Sequence, residues 1–157
     1  MWEYKEGNSF DLLIEHRGRA ILIKPGPALD RAPRLGLRAD VVFLGIGTLG
    51  KRKPDFQNAY CRQSVQDVGA KLVIPIHWDN FFAPLSENLP LAGRLMDDSR
   101  AAFDFLIART EQDRAQFLIL QGFGSVVLFA PEAPAVHTSS TLPHTSQHGL
   151  ARAKRGG

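Results

Sequence analysis

His77 stands where an apolar run, Leu72, Val73, Ile74, Pro75 and Ile76, gives way to Trp78, Asp79 and Asn80. A short, branched apolar run reads as a buried strand. In open α/β sheets the carboxyl ends of strands are where side chains meet ligand. A histidine there suits three roles: metal ligand through a neutral ring nitrogen, proton shuttle, or a strand cap held by one hydrogen bond. Asp79 could support such a group as an acceptor or weak ligand; Asp79 and Asn80 equally suit shaping the loop. The aromatic cluster Trp78, Phe81 and Phe82 fits either a pocket wall or a loop anchor.

A second pattern, Gly45-Ile46-Gly47-Thr48-Leu49-Gly50-Lys51, follows a strong strand. It matches both G-x-G-x-x-G and Gly-x₄-Gly-Lys, motifs that bring backbone donors to a phosphate at a helix N-terminus. Its context departs from both. Arg52 stands where a phosphate loop carries Ser or Thr, and Pro54 delays the helix. Ala70 and Lys71 fall where a dinucleotide fold places an acid about twenty residues on. Gly45, Gly47, Gly50 and Lys51 therefore remain the phosphate-site alternative, against the plainer reading of a glycine turn after a strand.

Other chemistry finds less support. His16 sits beside a turn, and His137, His144 and His148 lie in a segment with nothing to scaffold them. A hydrolytic zinc site needs three protein ligands and an open position, and only His77 is well placed. Cys61 falls on an apolar helical stripe, which favours packing over reactivity. No serine occupies a G-x-S-x-G elbow.

The positioning elements follow from periodicity. Residues 9–16 and 19–24 read as a hairpin around Arg17-Gly18. Residues 25–38 form a Pro/Gly-rich loop, and residues 40–46 a buried strand. Pro54 opens a helix reaching Val68, with Cys61, Val65 and Val68 on one stripe and Gly69 as its stop. Residues 71–76 return as a strand, giving a parallel crossover. After a long loop, Asp98 caps a second helix through Arg109, with Ala102, Phe103, Leu106 and Ile107 facing inward. Residues 116–120 and 125–129 read as a closing pair of short strands. The fold class is α/β (α+β), a mixed sheet with two main helices.

The chain has 157 residues, 44% apolar and 22% charged, which suits one soluble domain with a true core. One cysteine allows no internal disulfide and points to a reducing, cytoplasmic setting. Neither a membrane span nor a signal peptide is expected. Arg152, Lys154 and Arg155 against Glu132 account for +2 of the net +3, so the body is near neutral and no nucleic-acid partner is expected. Residues 131–157, rich in Pro, Ser, Thr and His, read as a disordered tail behind a domain of residues 1–130.

Three segments, residues 8–16, 38–47 and 72–80, together resemble the C-terminal half of a metallo-β-lactamase-superfamily hydrolase, a likeness spanning residues 4–129. The resemblance implies half of an αββα sandwich and gives His77 the position of the last zinc-ligand histidine. The signature His-x-His-x-Asp-His and a further histidine ligand are absent. Lys24-Pro25-Gly26-Pro27 replaces the bridging aspartate. By this likeness zinc would bind only if the missing ligands were supplied, and the chain alone would be inactive. The Met1 start is compatible with a truncated reading frame. The expected partner is a separate N-terminal half, or a second copy meeting an exposed sheet face. The alternatives are the phosphate- or nucleotide-binding module of Gly45–Lys51 and a non-catalytic interaction domain.

Overall fold

The computed structural model describes residues 10–30 and 36–129. Strands β1 (Leu12–His16) and β2 (Arg19–Lys24) form the antiparallel hairpin, with His16 opposite Arg19. Its two-residue turn, Arg17 and Gly18, has φ of 47° and 72°. Two left-handed residues match the right-handed twist of the flanking strands, and glycine takes one of them without strain. Ser9 lies outside the described residues.

Strand β3 (Val41–Gly45) runs parallel to β2, and β4 (Leu72–Ile76) runs parallel to β3. A fifth strand, β5 (Gln116–Phe117), adds in parallel on the far side of β4, giving the order β1-β2-β3-β4-β5. The sheet is therefore mixed, as the sequence pattern implies. Between β3 and β4 comes a 3₁₀ turn (Leu49–Lys51) and then helix α1 (Pro54–Cys61), with Pro54 where a missing donor matters least.

The expected helix to Val68 is not one regular α-helix. Arg62–Gln66 is a π turn, in which Asp67 N–H reaches Arg62 C=O at 2.8 Å and Ala70 N–H reaches Val65 C=O at 3.0 Å. Val65 and Val68 still reach the core, and Gly69 follows at φ 72° as the stop. Helix α2 (Ser99–Gln112) is capped as expected: Asp98 Oδ1 accepts from Ala101 N–H at 3.2 Å.

One sheet face carries Leu22, Val42, Leu44 and Val73 into a core completed by Leu49, Tyr60, Cys61, Val65, Ala102 and Leu106. Each fully buried aliphatic side chain there contributes about 1.5–3 kcal/mol. Alternation places Leu12, Ile14, Ile21, Ile23, Val41, Phe43 and Ile74 on the other face. That face is closed at Val41 and Ile74 but open at β1, where Leu12 is 55% and Ile14 43% exposed. The near-continuous apolar strands are thus apolar on both faces.

The expected closing strand pair is corrected. Only Gln116–Phe117 forms a strand, and it pairs with β4; residues 125–129 form none. Val126 and Val127 are exposed, and their β-preference meets no neighbouring strand among the described residues. The expected disordered tail from residue 131, with its three histidines, lies outside the described residues. Among the described residues no helix is long and apolar enough to cross a membrane.

Candidate functional site

The loops leaving β2, β3 and β4 converge at one edge of the sheet and bound a cleft of about 450 Å³. Gly26, Pro27 and Ala28 form the wall after β2, Gly47 and Thr48 the part after β3, and His77 and Asp79 the part after β4. Phe81, Ala92, Met96 and Asp97 come from the long loop, and Arg52 completes the lining.

His77 is exposed and has φ 58°, so its backbone turns sharply out of β4. Its Nδ1 is 3.3 Å from the Pro25 carbonyl oxygen. Gly47 lies against it: a Cβ there would sit 3.1 Å from the imidazole Nδ1 and Cε1. Thr48, also in the left-handed region at φ 64°, faces the same cleft. Two non-glycine residues in that region at one cleft fit the tendency of strained backbone to gather at functional sites.

Asp97 escaped the sequence reading, which gave the N-terminus of α2 to Asp98 alone. It is 5% exposed, and its Oδ2 accepts from Thr48 N–H at 2.9 Å. Ser99 Oγ approaches the same oxygen at 3.5 Å, while the buried Oδ1 has no hydrogen-bond partner among the described residues. The adjacent pair Asp97-Asp98 before a helix is the signal that could have found it: one carboxylate caps, leaving the other for a different partner.

The neighbours of His77 divide by role. Trp78 turns toward the interior, donating from its indole N–H to Pro75 C=O at 3.2 Å and meeting Phe103 edge-on at 5.5 Å. It anchors the loop. Phe81 lines the cleft and meets the exposed Phe82 with ring centres 4.3 Å apart and planes tilted by 38°. Asn80 shapes the chain, donating its N–H to Pro90 C=O at 2.8 Å and accepting from Phe82 N–H at 3.2 Å. Asp79 bridges to Leu91 through its backbone and stands in the cleft lining.

Gly45, Gly47, Gly50 and Lys51 are brought near this cleft, but with other duties. Any Cβ on Gly45 would collide with the Pro25 carbonyl, and one on Gly50 with the Asp98 carbonyl. Thr48 N–H is engaged by Asp97, and Lys51 Nζ donates to Leu95 C=O at 2.7 Å. A phosphate loop needs such donors free and converging; here close packing accounts for Gly45 and Gly50.

Lys24 ends β2, just before the loop that forms one wall of the cleft. It is 2% exposed, 3.0 Å from Asp11 Oδ2 and 3.6 Å from Asp30 Oδ1, and its ammonium lies 5.7 Å from the Tyr60 ring centre. Burial lowers its pKa, and Asp30 works against that shift. Tyr60 Oη donates to Gly45 C=O at 2.8 Å and lies 3.2 Å from Gly26 C=O, tying the wall to β3.

The donor set does not make a metal site by itself. Among the described residues no three His, Cys, Asp or Glu side chains converge to hold a metal ion. His77, Asp79 and Asp97 share a cleft without forming a ligand set. Cys61 is 1% exposed, and burial raises its thiol to about 12, which disfavours the thiolate. Comparison of the chain with family models, curated proteins and solved structures gave no match.

Proposed function

We propose that this chain is the C-terminal portion of a zinc-dependent hydrolase of the metallo-β-lactamase type, inactive by itself. The observation that carries the reading is the place of His77, at the carboxyl end of β4 and on a cleft bounded by the loops after β2 and β3. The three segments bearing the sequence likeness include β1, β3 and the β4–His77 corner.

The residues present do not suffice for zinc, since affinity comes from several converging ligands. Under this reading the missing ligands arrive on a second sheet, which packs on the face that leaves Leu12 and Ile14 open. A separate N-terminal half is the partner, and a reducing, cytoplasmic compartment suits the single buried thiol.

The test is the reading frame upstream of Met1, joined to a zinc titration of the chain alone. An in-frame His-x-His-x-Asp-His, together with only weak zinc binding by the chain, supports the proposal. Tight one-to-one zinc binding by the isolated chain would contradict an incomplete site. A frame without the motif, coupled with a monomer that binds no hydrophobic dye, would sink the reading altogether.

A further inference from the structure

The edge of the sheet opposite His77 carries a second concavity, of about 580 Å³, which neither the sequence likeness nor the cleft accounts for. It is framed by the hairpin turn, the chain entering β3 and the chain entering β4. Arg17, Arg19, Arg38 and Lys71 line it, together with Glu15 and Asp40. All four cations are exposed, and among the described residues none of them forms an ion pair.

Their few contacts leave most donors free. Arg38 Nη1 donates to Asp67 C=O at 2.9 Å, and the Arg19 guanidinium lies 5.5 Å from the Phe129 ring centre. Asp40 is engaged, its Oδ2 accepting from Ala20 N–H at 2.9 Å. Four cations against two carboxylates leave the pocket with an excess of two positive charges.

We propose that this pocket binds a small molecule carrying a phosphomonoester dianion. Planar guanidinium forks match phosphate oxygens two at a time, and three arginines stand around one concavity. The volume suits a small ligand, and a concavity suits it better than the stripe of cations that tracks an extended strand. Val68, with the backbone of Gly18 and Gly69, supplies the uncharged part of the lining. The site stands apart from His77 and does not depend on the hydrolase reading.

Isothermal titration of the full chain with phenyl phosphate, at ionic strength fixed with sodium chloride, tests it. Saturable one-to-one binding is expected, weakened about tenfold or more in the double variant Arg17→Gln/Lys71→Gln. Both residues are exposed, and circular dichroism checks that the variant keeps its fold. Lys51→Met, in the glycine loop of the other edge, should bind as the parent does. The proposal is overturned by any of three results: no saturable binding, undiminished binding in the double variant, or loss of binding in Lys51→Met. Binding of a single-stranded oligonucleotide with none of phenyl phosphate would also overturn it, in favour of a polymer.

Discussion

The imidazole Nδ1 of His77 lies 3.3 Å from the carbonyl oxygen of Pro25, a residue 52 positions earlier in the chain. With a proton on Nδ1 the ring donates to that carbonyl, and Nε2 keeps its lone pair. In that tautomer the loop after β2 orients a side chain that follows β4.

Because His77 is exposed and its φ is 58°, the backbone at this position matters more to stability than the ring. His77→Gly should leave stability within about 1 kcal/mol of the parent, because relief of the left-handed strain offsets glycine's entropy in the unfolded chain. His77→Val should lose roughly 1–2 kcal/mol more than the glycine variant, since a branched residue resists that region. Urea denaturation of the pair decides. Equal midpoints would mean that the turn relaxes and holds no strain.

The glycines of the Gly45–Lys51 stretch give a sharper contrast. A methyl on Gly50 would meet the Asp98 carbonyl, and one on Gly45 the Pro25 carbonyl, both of them backbone atoms that cannot swing aside. Each Gly→Ala change should cost about 2–3 kcal/mol by overpacking. Gly18→Ala, which meets nothing within 4 Å but has φ 72°, should cost only about 1–2 kcal/mol from backbone strain. Thermal or urea midpoints in the reverse order would show that the loop is free to move, as a ligand-cradling loop would be.

Most of the elements were legible because their signals are local. Pro54 and Asp98 mark where helices begin, Gly69 where one ends, and the runs before His16, Lys24, Gly45 and His77 are strands. Residues 125–129 misled because strand preference cannot supply a neighbouring strand, and among the described residues none lies beside them. His77 was visible as the end of an apolar run. Asp97 was not, since its partner is the Thr48 N–H, 49 residues away. Lys24 was equally hidden: a lysine ending a strand reads as solvent-exposed until Asp11, Asp30 and Tyr60 are seen to enclose it.

That enclosure makes a prediction in which the order of effects is counter-intuitive. Lys24→Met removes a buried charge and keeps a similar volume beside Tyr60, leaving two carboxylates that retain partial access to water. Stability should stay within about 1 kcal/mol of the parent. The double change Asp11→Asn/Asp30→Asn keeps the ammonium buried and removes its counter-charges, and should cost about 2–3 kcal/mol, discounted for partial exposure. Restoring stability by adding Lys24→Met to that double variant would identify the stranded ammonium as the cause. Additive losses in the triple variant would refute it.

Cys61 contributes to the pH dependence of stability on the alkaline side. Burial raises its thiol to about 12 from an ordinary value of 9.0, with Arg109 opposing and Asp113 reinforcing the shift. Below pH 9 the thiol is protonated whether the chain is folded or not, and contributes no pH dependence. Above pH 9 the unfolded chain releases this proton while the folded chain retains it, so stability falls as pH rises toward 12. The loss from this group alone is about 1.4 kcal/mol at pH 10. Lys24 acts in the opposite direction: its lowered pKa means that stability rises as pH climbs from its folded value toward 10.5. The whole-protein curve therefore mixes the two, and a difference between variants is the cleaner measure. Cys61→Ala should lose a constant amount from its cavity below pH 9, and that deficit should shrink by about 1.4 kcal/mol between pH 8 and pH 10. Urea titrations at those two pH values give the comparison directly. A deficit that stays constant across them would mean that water reaches the thiol, and that this helix opens locally beside the π turn.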